Sequence, residues 1–222
     1  MKILALEFSS AQRSVAVVNQ SKGHSGLEVA EVIETGGRTA KPFEMVEQAL
    51  RQARLEREQI ECLAVGLGPG SYNGIRSAIA IAQGWQIAAG AKVLGISTVD
   101  CLVDQVRQEQ PGWSGRVHMA IDAQRGEFYL ASFEYLSGQP TPVSSLRIVS
   151  RNEIEALQKA GEAIAGPELS RYFPDGRDLF PRATVLGRLA LTRWDFVSGD
   201  KLEPIYLRET TFVKAPPPRR IN

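Results

Sequence analysis

The sequence predicts an α/β protein built from two units, residues 1–110 and, over 111–222, a smaller C-terminal lobe followed by a basic tail. Three observations carry this. Over Cys62–Ser97 a strand, a glycine-rich loop, an apolar helix and another strand follow one another, which is one α/β crossover unit. Three strand-like segments precede it. After the turn-rich stretch Pro111-Gly112-Trp113-Ser114-Gly115 the pattern restarts: Met119-Ala120-Ile121-Asp122 echoes Leu4-Ala5-Leu6-Glu7, an apolar strand ending in one carboxylate. Each is followed by Ala-Gln-Arg, at Ala11–Arg13 and Ala123–Arg125, and then by a second strand.

Taken in order, Lys2–Phe8, Arg13–Asn19 and Leu27–Thr35 read as strands of an antiparallel meander, with turns at Ser9–Gln12 and Ser21–Gly26. Thr39 is a candidate cap for a helix running to about Arg57, with Pro42 in its first turn, where proline is tolerated. Phe43, Val46, Leu50 and Ala53 form its apolar stripe, and Met45 and Ala49 widen it beyond what one core face needs. The run Cys62–Leu67 is too short for a helix and reads as a buried strand. Asn73 is a candidate N-cap for a helix over Ile75–Ala89 that is apolar nearly all round and so expects cover on every side. Val93–Ile96 is the next strand and Thr98–Gln108 the next helix. Beyond the linker, Arg116–Asp122, Glu127–Tyr135 and Val143–Val149 read as strands, Asn152–Ala160 as a helix, and Arg182–Val197 as a helix with Val185, Leu189 and Trp194 on one side.

The loop Gly68-Pro69-Gly70-Ser71-Tyr72-Asn73-Gly74 is neither a Walker A nor a dinucleotide fingerprint, because no Gly-Lys-Ser/Thr follows and Ser71 stands at the third glycine position. A tight strand-to-helix turn and a ligand-facing loop both fit it. The run Gly66-Leu67-Gly68-Pro69-Gly70-Ser71-Tyr72, with Gly74-Ile75-Arg76, Gly84 and Gly95-Ile96-Ser97-Thr98, resembles the signature of the TsaB family. Asn73 stands where that pattern has Thr, and Pro204-Ile205-Tyr206-Leu207-Arg208 extends the likeness toward the C-terminus.

The resemblance implies the actin/Hsp70/sugar-kinase (ASKHA) architecture, two ribonuclease-H-like lobes. It also implies a non-catalytic subunit that supports the transfer of a threonylcarbamoyl group to adenosine in tRNA. Its implied partners are a TsaD-type transferase and, as a further candidate, a TsaE-type ATPase, with a homodimer when alone. The implied interface takes in Phe43, Val46, Leu50, Arg76, Ala80, Gly84 and Ile87. In enzymes of that superfamily two hairpins hold nucleotide phosphates and a metal, and the matching positions, here candidates for a vestigial nucleotide site, are Glu7, Ser9, Ser10 and Asp122. Glu7 is one methylene longer than the usual aspartate there.

Composition narrows the classes. A net charge of +1 gives no general pull toward nucleic acid or membrane, so tRNA contact is expected to be indirect or through the basic tail at Lys214, Arg219 and Arg220. No signal peptide or membrane-length apolar run is read, which points to the cytoplasm. Cys62 and Cys101 lack metal or redox spacing and read as buried thiols. With only His24 and His118, and no His-x-x-x-His, a metal-histidine site of the kind TsaD-type proteins carry is excluded. No cofactor is expected. A serine-hydrolase triad around Ser71 lacks its base, and a metal nuclease would have to use Glu7, Asp122 and Glu127, which are also plain strand-end acids. The small residues Ala80, Gly84 and Ala88 recur every fourth position, a spacing that lets another helix approach, either inside the fold or from a partner. The alternative class is an ATP-dependent enzyme of the same superfamily.

Overall fold

The structure, a computed structural model, describes residues 1–20, 26–36 and 41–208. The turn over 21–25, the Thr39 cap, His24 and the basic tail lie outside the described residues. Strands β1 (Lys2–Glu7), β2 (Gln12–Gln20), β3 (Leu27–Thr35), β4 (Cys62–Gly66) and β5 (Lys92–Ile96) form a first sheet in the order β3-β2-β1-β4-β5. β2 runs antiparallel to β1 and β3, whereas β4 and β5 run parallel to β1. The second sheet contains β6 (Gly115–Asp122), β7 (Glu127–Leu136), β8 (Gln139–Ser150), β9 (Ala163–Gly166) and β10 (Arg177–Asp178). Its order, read from the other edge, is β8-β7-β6-β9-β10, again with an antiparallel hairpin pair followed by parallel strands. The two sheets therefore repeat one plan, and this is the physical content of the Leu4–Glu7 and Met119–Asp122 echo. It is a two-lobed α/β fold of ribonuclease-H-like units, the ASKHA arrangement.

Alternation of side chains explains how the first sheet is covered on both faces. Leu4 and Leu6 of β1 point to the layer formed by α1 (Pro42–Ala53) and α2 (Tyr72–Ala89). Ile3 and Ala5 point the other way, to α5 (Ala183–Ala190). The N-terminus of α5 is satisfied from this lobe: Ala183 N–H donates to Ser14 Oγ at 2.8 Å and Thr184 N–H to Glu31 at 3.1 Å, a carboxylate placed where a helix dipole favours it. In the second lobe α3 (Thr98–Glu109) packs Leu102, Val103 and Val106 on Met119 and Ile121, while α4 (Arg151–Lys159) buries Ile154 against Phe128 and Leu130 on the opposite face. Along the chain, the turn over 110–114 between α3 and β6 separates the strands of the first sheet from those of the second. The helices do not keep to it: α3 covers the second sheet, and α5 returns to the first.

Three local expectations are corrected. Ser71, not Asn73, caps α2; its Oγ accepts from Gly74 N–H at 3.3 Å, which draws Tyr72 and Asn73 into the first turn. α1 ends at Ala53 because Arg54 adopts the left-handed conformation, and Arg57–Gln59 is a separate 3-10 turn. The helix expected over Arg182–Val197 stops at Ala190, since the chain turns back to bridge Val197 to Val93 at the edge of β5; Trp194 is left 75 % exposed. Among the described residues no helix is long and apolar enough to cross a membrane.

Candidate functional sites: an apolar groove and an interlobe cleft

α1 and α2 lie side by side on the first sheet, and a groove of about 400 Å³ runs between them, lined by Phe43, Val46, Ala80, Gly84, Trp85 and Ala88 among others. α2 was expected to be covered all round, and it is not. Ile75, Ala78, Ile79 and Ala82 are buried, but Arg76, Ala80, Gly84, Ile87 and Ala88 are exposed. At 100° per residue these five fall within about 120° of arc, so they form one face. Ile87 is 88 % exposed and Phe43 of α1 is 69 % exposed.

Val46 and Leu50, expected with them at the surface, are only 2 % and 4 % exposed: they pack with Met45 and Ala49 in the core, and Val46 forms part of the groove floor. The extra width of the α1 stripe is therefore used inward. Trp85 was missed by sequence reasoning; its position beside Gly84 on an over-apolar helix was the available signal. Arg76 is held in place by donating to Tyr72 Oη at 2.7 Å, with its guanidinium 5.1 Å from the ring centre.

Gly84 bears on the internal-packing reading of the small-residue stripe. A Cβ built there meets no atom within 4 Å. Packing inside the chain therefore gives no reason for glycine, although glycine in a helix interior costs about 1 kcal/mol relative to alanine.

The second concavity, about 440 Å³, lies between the lobes and is lined by Ser9 and Ser10 of the first hairpin, Ser71 and Asn73 at the start of α2, and Asp122 of the second hairpin. Glu7 does not join them. Its carboxyl group is fully buried behind the hairpin, where Oε1 accepts from Ser9 N–H at 2.8 Å and Oε2 from Thr98 Oγ1 at 3.2 Å. Asp122 is engaged within its own lobe, accepting from Gln124 N–H at 2.7 Å and Tyr172 Oη at 2.9 Å. The facing carboxylate pair that a bridging Mg²⁺ would need is not assembled, and among the described residues no group of three or more His, Cys, Asp and Glu could hold a metal ion. His118 is buried on β6, with Nδ1 2.8 Å from Ser132 Oγ and Nε2 3.5 Å from Glu162, and burial holds it below the ordinary imidazole range. It is not paired with Ser71, which is occupied in capping α2.

Burial raises the Glu7 pKa above the ordinary glutamate range, against the lowering effect of its hydrogen bonds to Ser9 and Thr98. A carboxyl group whose folded-state pKa is raised binds more protons folded than unfolded across that interval. Stability should therefore fall as pH rises from the unfolded glutamate value, about 4.3, through the raised folded value. Glu7→Gln keeps the shape and carries no titrating group; thermal unfolding across this range should show that decline in the parent and lose it in the variant. An unchanged pH profile in Glu7→Gln would show that Glu7 is not its source.

Comparison with known proteins agrees with this architecture. The family model described as "TsaD: tRNA N6-adenosine threonylcarbamoyltransferase" matches residues 41–207. The tRNA threonylcarbamoyladenosine biosynthesis protein TsaB of Escherichia coli is 29 % identical, over 98 % of this chain and 99 % of its own length. The TsaB protein of Haemophilus influenzae is 27 % identical, over 97 % and 98 %. The solved structure of a Pseudomonas aeruginosa protein described as similar to peptidase YEAZ superposes with a TM-score of 0.73 at 26 % identity, covering 93 % of this chain and 99 % of that one. With the family model spanning most of the chain and TsaB proteins aligned from end to end, the chain belongs to the threonylcarbamoyltransferase family described by that model, as a TsaB-family protein.

Proposed function

We propose that this protein is a non-catalytic subunit in tRNA threonylcarbamoyladenosine biosynthesis that binds and activates a TsaD-type transferase through the α1/α2 face. The observation that carries this reading is Gly84: a helix-interior glycine, open to solvent, between Ala80 and Ala88 on a face that also exposes Ile87 and Phe43. Small residues at this spacing admit a second helix to close range, and the flanking apolar side chains supply area to bury. The same face would make a homodimer when the partner is absent. With a net charge of +1, tRNA contact in this reading is indirect, and a cytoplasmic site of action follows from the substrate.

Size-exclusion chromatography with light scattering tests the reading, on the chain alone and mixed with the TsaD-type protein of the same organism. The expected result is a dimer mass alone, replaced by a heterocomplex on mixing. No complex at micromolar concentrations with nucleotide present would overturn it.

A second reading, an ATP-dependent enzyme in its own right, is favoured by the cleft that brings Ser9, Ser10 and Asp122 together. Glu7 would have no direct part in it. Mg-ATP binding by the isolated protein, abolished in Asp122→Ala, would support that reading.

A further inference from the structure

The C-terminal run of described residues is seated on the first lobe and then steps onto the second. Val197 N–H donates to Val93 O at 3.0 Å, Gly199 is held from both sides by Gln83 and Gln86 of α2, and Leu202 enters the first lobe's core. Ile205 N–H donates to Leu67 O at 2.8 Å, and the Tyr206 ring stacks on Tyr72 with centroids 5.3 Å apart. Two residues later Arg208 is on the other lobe. Its Nη2 donates to Ala123 O at 3.1 Å and pairs with Glu127. Ala123 and Glu127 flank the turn that follows Asp122, so Arg208 grips the hairpin on one wall of the interlobe cleft. Tyr72 belongs to the opposite wall.

We infer that Ile205–Arg208 is a strap that sets the opening of the cleft, anchored on the first lobe by Ile205 and Tyr206 and closed on the second by Arg208. The chemistry suits a reversible closure. The first-lobe anchor combines a backbone hydrogen bond with aromatic stacking. The second-lobe contact is one guanidinium shared between the Glu127 carboxylate and the peptide carbonyls of Ala123 and Gln124, about a third exposed, and thus screened by solvent and sensitive to salt. This inference rests on the strap's own contacts and is independent of whether α1 and α2 bind a partner.

The test places nitroxide labels on the full chain at Asn73→Cys, on the cleft wall at the start of α2, and at Arg171→Cys, on the second lobe beside Glu168 of the opposite wall. Cys62 and Cys101 are buried, so the two new thiols are the reactive ones. Pulsed electron resonance should give one narrow distance in the parent. Arg208→Ala, Tyr206→Ala and Glu127→Ala, which removes the acceptor from the far side, should each broaden the distribution toward longer distances while the circular-dichroism spectrum stays that of the parent. The same variants should raise amide hydrogen exchange about tenfold at the Ala123–Glu127 turn. If all three fold and keep the parent's distance and exchange, the strap does not control the cleft. The same conclusion holds if faster exchange is confined to residues 205–208.

Discussion

Gly84→Leu should weaken binding to a TsaD-type partner at least about a hundredfold while leaving the protein folded and slightly more stable. The two halves of this result have separate causes. In the isolated chain nothing lies within 4 Å of a Cβ at this position, so a leucine meets no neighbour at its Cβ and replaces a poor helix residue with a good one. A gain of about 0.8 kcal/mol corresponds to about 2–3 °C in melting temperature for a chain of this size. Against a helix seated over Ala80, Gly84 and Ala88, the four added carbons occupy the space of the partner's backbone. Displacing that contact from a tightly packed centre costs about 3 kcal/mol or more, a hundredfold in affinity.

Gly84→Ala separates the effects: the stability gain should be nearly complete and the affinity loss small. Titration calorimetry with the partner and thermal unfolding of the lone variants read the two quantities independently. Parent-like affinity in Gly84→Leu would remove this face from the interface. A fall in melting temperature would instead show that the glycine has a role inside the fold.

The parts of the fold that were legible in the sequence are those set by short-range pattern. The β1–β3 meander, the strand–loop–helix–strand unit and the restart after the linker ending at residue 115 each announce themselves by periodicity and turn residues. The strand ends of the meander and of that unit emerge within one residue of expectation, while α2 begins three residues early, at Tyr72. What sequence could not give is which of two adequate local solutions the tertiary structure selects. Ser71 and Asn73 are both good caps, and the choice follows from where β4 delivers the chain to α2. The apolar spacing through Trp194 resembles a helix face, but the pairing of Val197 with Val93 bends the segment away. On α1, one stripe held both core and surface residues, and only the sheet beneath distinguishes Val46 and Leu50 from Phe43. The groove face of α2 was legible as an excess of apolar and small residues; that its glycine is open could only come from coordinates. Glu7 was read with the cleft because its sequence position matches Asp122, and its register does match: each carboxylate ends the first strand of a hairpin. Its extra methylene and a glycine fifty-nine positions away turn it inward.

That glycine leaves the room the Glu7 carboxyl group occupies, so a single methyl group there should have a large effect on stability. Gly66 ends β4 beside β1, and a Cβ built on it would sit 2.1 Å from Oε2 of Glu7, 2.7 Å from its Cδ and 3.0 Å from Oε1. The backbone of Gly66 is not in the left-handed region, so alanine is conformationally acceptable, and the three nearest atoms it would meet all belong to the Glu7 carboxyl group. That group has nowhere to go without giving up the Ser9 N–H and Thr98 Oγ1 donors. Overpacking costs about 1–3 kcal/mol and loss of buried hydrogen bonds about 1–3 kcal/mol. Gly66→Ala should therefore destabilise by about 3–5 kcal/mol, a large part of a typical domain's stability. Glu7→Ala alone should also be costly, because it empties a packed site and orphans its donors. In the double variant Gly66→Ala/Glu7→Ala the new methyl group moves into the space the carboxyl vacated, and the combined loss should fall short of the sum of the single losses by at least about 2 kcal/mol. Urea unfolding of the four proteins measures the cycle. Additive losses, or a Gly66→Ala cost below about 1 kcal/mol, would mean that Glu7 is not held against Gly66. Strong coupling would establish that the carboxyl at the end of β1 is a structural bolt between β1, β4 and the start of α3, the helix that leads into the second lobe. A residue fixed in that way is committed to holding the lobes' geometry and is not free to reach a ligand in the cleft.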